Sequence, residues 1–132
     1  MELDSNKVTV TASKEEIKAF LSDSNNLIHI LPKNNISDFK STVENCSFKV
    51  QGGFIISLIQ DGGDDDNLFL KSGEKSPFPF KLTINLNESE SSTEGYIHFD
   101  GEVNAFLKMM VAKPLGNLFN YMSTKLKEHF EK

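Results

Sequence analysis

His98 shares strand parity with Tyr96 and Asp100, opposite Ile97 and Phe99. Turned inward, that trio would give an apolar pocket an imidazole, a phenol and a carboxylate, the parts that general acid–base chemistry uses. Ile97 and Phe99 suit the dry face better, so the expected orientation sends His98 to solvent. Cys46 alternates with Phe48 and Val50 and has no basic neighbour in sequence to activate a thiolate; it is expected as a small buried hydrophobe. Asp38 and Glu44 would make an acid/base dyad only if a sheet register brought them together, and scattered strand carboxylates usually face water. No nucleophile, base and orienting group share a pattern, so no catalytic residues are expected.

His29, His98 and His129 fall in three different elements, without the close spacing that sets two ligands on one helix or strand, so no metal site is expected. The run Gly62-Gly63-Asp64-Asp65-Asp66-Asn67 gathers oxygen ligands but lacks the alternation and closing Glu of a calcium loop; it reads as a hairpin tip. Gly52-Gly53 lacks the Lys-Ser/Thr ending of a phosphate loop and reads as a turn. No cofactor is expected.

Charge narrows the partners. The 132 residues carry 19 acidic against 14 basic side chains, a net charge of −5 that repels phosphate backbones. Every basic residue is Lys; without Arg the planar fork that reads guanine and clasps phosphate is missing, which argues against a nucleic-acid partner. One cysteine permits no internal disulfide and suits a reducing cytoplasm. No apolar run reaches the ~20 residues of a membrane span, and the polar opening Met1–Asn6 is unlike a signal peptide.

Positioning these residues falls to elements readable from periodicity. Lys7–Thr11 alternates as a short strand. Ser13 and Glu16 then form a capping box, and Ile17, Phe20 and Leu21 recur at helical spacing. Asp23–Asn26 ends that helix and can cap a second short one over Leu27–Leu31, stopped by Pro32. From Ile36 to Val103 the period is two, which argues an antiparallel meander. Its strands are expected over 36–44, 47–51, 54–60, 68–72, 78–87 and 93–103, with turns at Asn45, Gly52-Gly53, Gly62-Gly63 and 88–92. Phe78, Phe80, Leu82, Ile84 and Leu86 alternate with polar partners, so the sheet is covered on one face only.

The last segment returns to helical spacing, with Leu115, Leu118, Phe119, Met122, Leu126 and Phe130 on one side. Pro114 cannot donate to the carbonyl of Met110 and crowds it. The expectation is a short, loosely held turn over 104–112 and then a long helix starting near Pro114. No repeat or linker interrupts the chain, so residues 1–132 are expected as one domain.

The order of strand, two short helices, long meander and C-terminal helix resembles the START-like (SRPBCC, Bet v 1-like) superfamily. The resemblance is carried by Val8-Thr9-Val10-Thr11-Ala12-Ser13-Lys14-Glu15-Glu16 with Phe20-Leu21-Ser22-Asp23, and by Phe99-Asp100-Gly101-Glu102-Val103-Asn104 through Lys113-Pro114-Leu115. It implies an α+β helix-grip fold, a curved antiparallel sheet of six to seven strands wrapped on the long C-terminal helix. It also implies an apolar cavity between sheet and helix. Apolar periodicity supplies the two faces, and their expected lining is Phe80, Leu82, Ile84 and Phe99 from the sheet with Met110, Leu118 and Met122 from the helix. Phe106, Met109 and Pro114 are expected to gate the entrance. The function so implied is non-catalytic binding of a small hydrophobic molecule, a lipid or an aromatic. A protein-interaction or chaperone-cofactor module with a filled core is the alternative, and a cyclase or hydrolase working inside the cavity comes third.

Overall fold

The structure, a computed structural model, describes residues 1–50 and 53–131. Its sheet elements are β1 (Glu2–Asp4), β2 (Val8–Val10), β3 (Ile36–Ser41), β4 (Asn45–Val50), β5 (Ile55–Gly63), β6 (Asn67–Ser72), β7 (Phe80–Ser89) and β8 (Ser92–Gly101). Helix α1 (Lys14–Leu21) and a 3-10 helix (Ser24–Ile30) follow β2, and helix α2 (Ala105–Phe130) closes the chain. The expected α+β fold is the one observed, and the two short helices stand where the capping signals put them. Ser13 accepts the amide of Glu16 at 3.1 Å while Glu16 accepts that of Ser13 at 3.3 Å, and Asp23 caps the 3-10 helix.

Strands β3 to β8 form a continuous antiparallel meander, ordered β8-β7-β6-β5-β4-β3, with β1 and β2 both on the free side of β8. The sheet is therefore eight-stranded, against the six to seven expected. The additional strand is β1, whose residues Glu2, Leu3 and Asp4 pair with Asp100, Phe99 and His98. Three residues with one apolar side chain carry too little alternation to announce a strand. Strand ends otherwise move by a few residues; the meander turns at 52 and the strand end at 51 lie outside the described residues. Bulges between Ser37 and Lys40 in β3 and between Gln60 and Gly63 in β5 break the register and bend those strands.

One face of the sheet is dry. Leu82, Ile84 and Leu86 of β7 and Ile97 and Phe99 of β8 are buried, and α2 lays Leu115, Phe119, Met122 and Leu126 over them. The helix runs closest to β1, β2, β8 and the 3-10 helix. Gly101 is needed at the end of β8, because an added Cβ would come within 2.6 Å of the Phe99 ring.

The expected break at Pro114 is absent. Helix α2 is continuous from an Asn104 cap, whose side chain accepts the Leu107 amide at 2.8 Å, through Pro114 to Phe130. Magnitudes explain the outcome. An interior proline costs about 3 kcal/mol, whereas burying one Val or Leu side chain returns about 1.5–3 kcal/mol. Val111 and Leu115 are buried on either side of the proline, and Met110, whose carbonyl loses its partner, lies on the wet side where water can serve. Tertiary burial thus outweighs the local penalty.

Candidate functional site

The expected interior cavity is filled. Phe80, Leu82, Ile84, Phe99 and Met122 are all core residues at 5% exposure or less. Aromatic rings take up the volume: Phe99 lies 5.3 Å from Phe80, 6.2 Å from Phe78 and 5.5 Å from Phe119 on α2, centroid to centroid. Further along the helix, the space bounded by Ile84, Leu86, Ile97, Met122 and Leu126 amounts to about 20 Å³. That is no more than about one water, far below the ~300 Å³ of a small-molecule site.

Three helix residues differ from expectation. Met110, expected in the lining, is 56% exposed, and Phe106 and Met109 are 71% and 86% exposed. Because α2 continues through Pro114 without a break, the first turns point these side chains outward instead of hinging them over an opening. Spacings of three and four fix which residues share a face but not how far the sheet extends beneath them.

Space for a ligand exists at the edge of the grip. A cleft of about 430 Å³ opens where the link after the 3-10 helix and the adjoining ends of β3 and β4 face the middle of α2. Pro32, Ile36 and Val50 form one wall; Pro114, Leu118 and Tyr121 form the other. Asn35, Lys113 and Asn117 supply its polar rim. Leu118 and Pro114 are thus the two sequence-named residues that border it. Local pattern could not find the opposite wall, since Pro32 and Ile36 meet α2 only through the fold. The apolar spacing of Ile36 and Val50, which pair across β3 and β4, was the available signal.

Two hollows continue from this cleft. One of about 280 Å³ shares Pro32, Asn35 and Tyr121 with it and adds Lys33 and Lys125. Another of about 340 Å³ shares Asn35, Ile36 and Val50 and adds Lys49.

The remaining chemical candidates are spent on structure. His98 faces outward as expected, its Nδ1 2.5 Å from Asp4 and its Nε2 3.2 Å from Glu2, so it ties β1 to β8. Tyr96 carries the Lys7 ammonium 5.5 Å from its ring centre, and Asp100 is exposed. Asp38 sits at the β3 bulge with φ of 55°, and Glu44 at the turn into β4, so they form no dyad. Cys46 is buried, and burial pushes its thiol from 9.0 up to about 12, the opposite of an activated nucleophile.

Beside the acidic tip lies a concavity of about 1060 Å³, an open groove bordered by Glu44, Asp64, Asp65 and Asp66. Lys14 pairs with Asp66 at 3.2 Å, and the Lys18 ammonium donates to the carbonyls of Asp64 and Asp65. Asp64 accepts from the Asp66 amide and the Asn67 side chain, so the tip is a self-satisfied turn pinned to α1. Among the described residues, no group of three or more His, Cys, Asp and Glu converges as metal ligands. His29 and His129, distant in sequence, do meet, with rings stacked 6.0 Å apart beside Phe20. No helix among the described residues is long and apolar enough to cross a membrane.

Comparison with known proteins bears on the fold. No family model matches the chain, and no curated protein matches it. Solved structures do. The KanY protein, determined in solution, aligns with a TM-score of 0.78 at 14% identity over 100% of this chain and 98% of its own. A START superfamily protein from Mycobacterium smegmatis aligns at 0.69 and 14% identity, covering 98% and 97%. XoxI from Bacillus cereus aligns at 0.68 and 18% identity, covering 98% and 94%. An antiparallel meander gripping one long C-terminal helix, closed at one end by two short helices, is the START-like fold, and this chain has it.

Proposed function

We propose that residues 1–132 act as one non-catalytic binding module that takes a small apolar molecule in the edge cleft between α2 and the β3–β4 end of the sheet. The observation that carries the reading is the cleft itself: about 430 Å³, in the range of small-ligand sites, with six apolar or aromatic residues on two walls and a few polar groups at the rim. The resemblance to START-like proteins supports it, because that superfamily often uses the space between sheet and helix for hydrophobic ligands. The same reading puts the protein in the cytoplasm, which the lone unpaired thiol of Cys46 supports.

Native mass spectrometry of protein purified from cells, followed by organic extraction, tests it. The expected result is a bound apolar species that is lost from an Ile36→Trp variant, whose indole fills the cleft from the β3 side, while the variant keeps its melting temperature within a few degrees. Absence of any bound species, together with no stabilisation by decanol or an aromatic hydrocarbon, would overturn it.

A second reading has its own observation. Phe106, Met109 and Met110 are exposed on the first turns of α2, and the interior is packed, as suits a module that docks on another protein. Replacing Phe106 and Met109 together by Ser leaves ligand retention intact on the first reading.

A further inference from the structure

We infer that the molecule held by the edge cleft is an anionic amphiphile: an apolar body lying between Ile36, Val50 and Leu118, and a single carboxylate or phosphate head among Lys33, Lys49 and Lys113. The inference rests on the proposed binding function and adds the class of ligand.

Charge distribution carries the argument. The chain as a whole is acidic, yet the main cleft and its two adjoining hollows are bordered by four lysines and by no aspartate or glutamate. Acidic residues gather instead around the separate groove at the β5–β6 tip, where Lys14 and Lys18 already answer them. Of the four cleft lysines, Lys125 is paired with Glu128 at 3.4 Å. Lys33, Lys49 and Lys113 have no carboxylate within ion-pair distance among the described residues. They come from three different parts of the chain: the link after the 3-10 helix, β4 and α2. Three like charges spread around one set of adjoining hollows repel each other, and a bound anion relieves that repulsion. Asn34, Asn35 and Asn117, which border the same adjoining hollows, offer amide donors to an oxyanion. A neutral or cationic ligand would leave those charges unanswered.

Isothermal titration of the full chain with three probes sharing one tail tests this: decanoate, decanol and decyltrimethylammonium, at low salt and neutral pH. Exposed ion pairs are individually weak, so three lysines together give decanoate about a tenfold advantage over decanol. That advantage is expected to shrink below about threefold in a Lys33→Gln/Lys49→Gln/Lys113→Gln variant and in 1 M salt, and to survive in the triple Lys→Arg variant. Equal affinity for decanoate and decanol would overturn the anionic assignment while leaving the apolar site standing. Failure of all three probes to bind would remove the site itself. Sedimentation with phosphatidylglycerol vesicles separates a free amphiphile from a lipid surface: capture by vesicles that the triple Gln variant loses, without decanoate binding, would overturn the free-ligand assignment.

Discussion

Ser123 on α2 and Ser5, in the link between β1 and β2, meet in the interior with their hydroxyl oxygens 2.7 Å apart. Ser5 also accepts the Ile97 amide at 2.8 Å and returns its own amide to the Ile97 carbonyl at 2.8 Å. Ser123, one turn on, lies 3.1 Å from the Phe119 carbonyl, so its single proton serves two acceptors. This pair fastens the gripping helix to β8 through the chain that joins the two edge strands.

The two serines are therefore unequal. Ser5→Ala strands the Ile97 amide in a buried position and is expected to cost about 1–3 kcal/mol. Ser123→Ala leaves only the neutral Ser5 hydroxyl with one donor fewer and is expected to cost about 0.5–1.5 kcal/mol. Urea unfolding of both single variants and the double variant measures the difference and the coupling. Equal costs that add without coupling would show that the contact transmits nothing.

Pro114 offers a test of how the helix is held. Since the helix is continuous, Pro114→Ala restores the missing amide donor to the Met110 carbonyl without changing the burial of Val111 or Leu115. The interior-proline cost of about 3 kcal/mol is partly offset by the about 0.4–1 kcal/mol that the stiffer unfolded chain supplies, leaving a net gain of about 2 kcal/mol. A higher urea midpoint at unchanged slope is the expected result. A destabilised variant would instead mean that the pyrrolidine ring's packing in the cleft wall outweighs the backbone bond.

Residues whose role is decided locally were legible in the sequence. The alternation from Phe80 to Leu86 shows the dry face of β7 directly, and Ser13 with Glu16 announces α1, because both signals depend on neighbours within four positions. The edge cleft was only half legible. Leu118 and Pro114 were named, but their partners Pro32, Ile36 and Val50 reach them across the fold. The same gap explains Met110 and Pro114: whether a helical side chain is covered, and whether a proline is tolerated, depends on burial that local spacing does not state. His29 and His129 stack for the same non-local reason, 100 positions apart in sequence.

Met122 and Met109 separate core from surface on one helix. Met122 is 1% exposed against the β8 side of the sheet, so Met122→Ala opens a cavity and is expected to cost about 2–5 kcal/mol. Met109 is 86% exposed, and Met109→Ala is expected to stay within about 0.5 kcal/mol. Thermal melts of the two variants decide it; a large loss for Met109→Ala would put that side chain in a contact that the monomer does not make.

Cys46 couples stability to alkaline pH. Burial raises its thiol from 9.0 to about 12, because the charged thiolate would leave water for the apolar layer beside Phe48 and Leu58. Below pH 9 the thiol is protonated both folded and unfolded, and its full contribution to stability is present. Between pH 9 and about pH 12 the unfolded chain releases the proton while the folded chain keeps it. The unfolded state then binds fewer protons, and folding stability falls by up to about 1.4 kcal/mol per pH unit. The informative quantity is the difference between the parent chain and Cys46→Ala. The variant is expected to start lower at pH 8, having lost the buried sulfur, and then to decline less steeply, so that the gap narrows by about 1 kcal/mol by pH 10. Urea titrations at several pH values read that convergence. Parallel curves would mean that the thiol ionises equally well in both states, and rapid modification by a thiol reagent at pH 8 would then be expected as well.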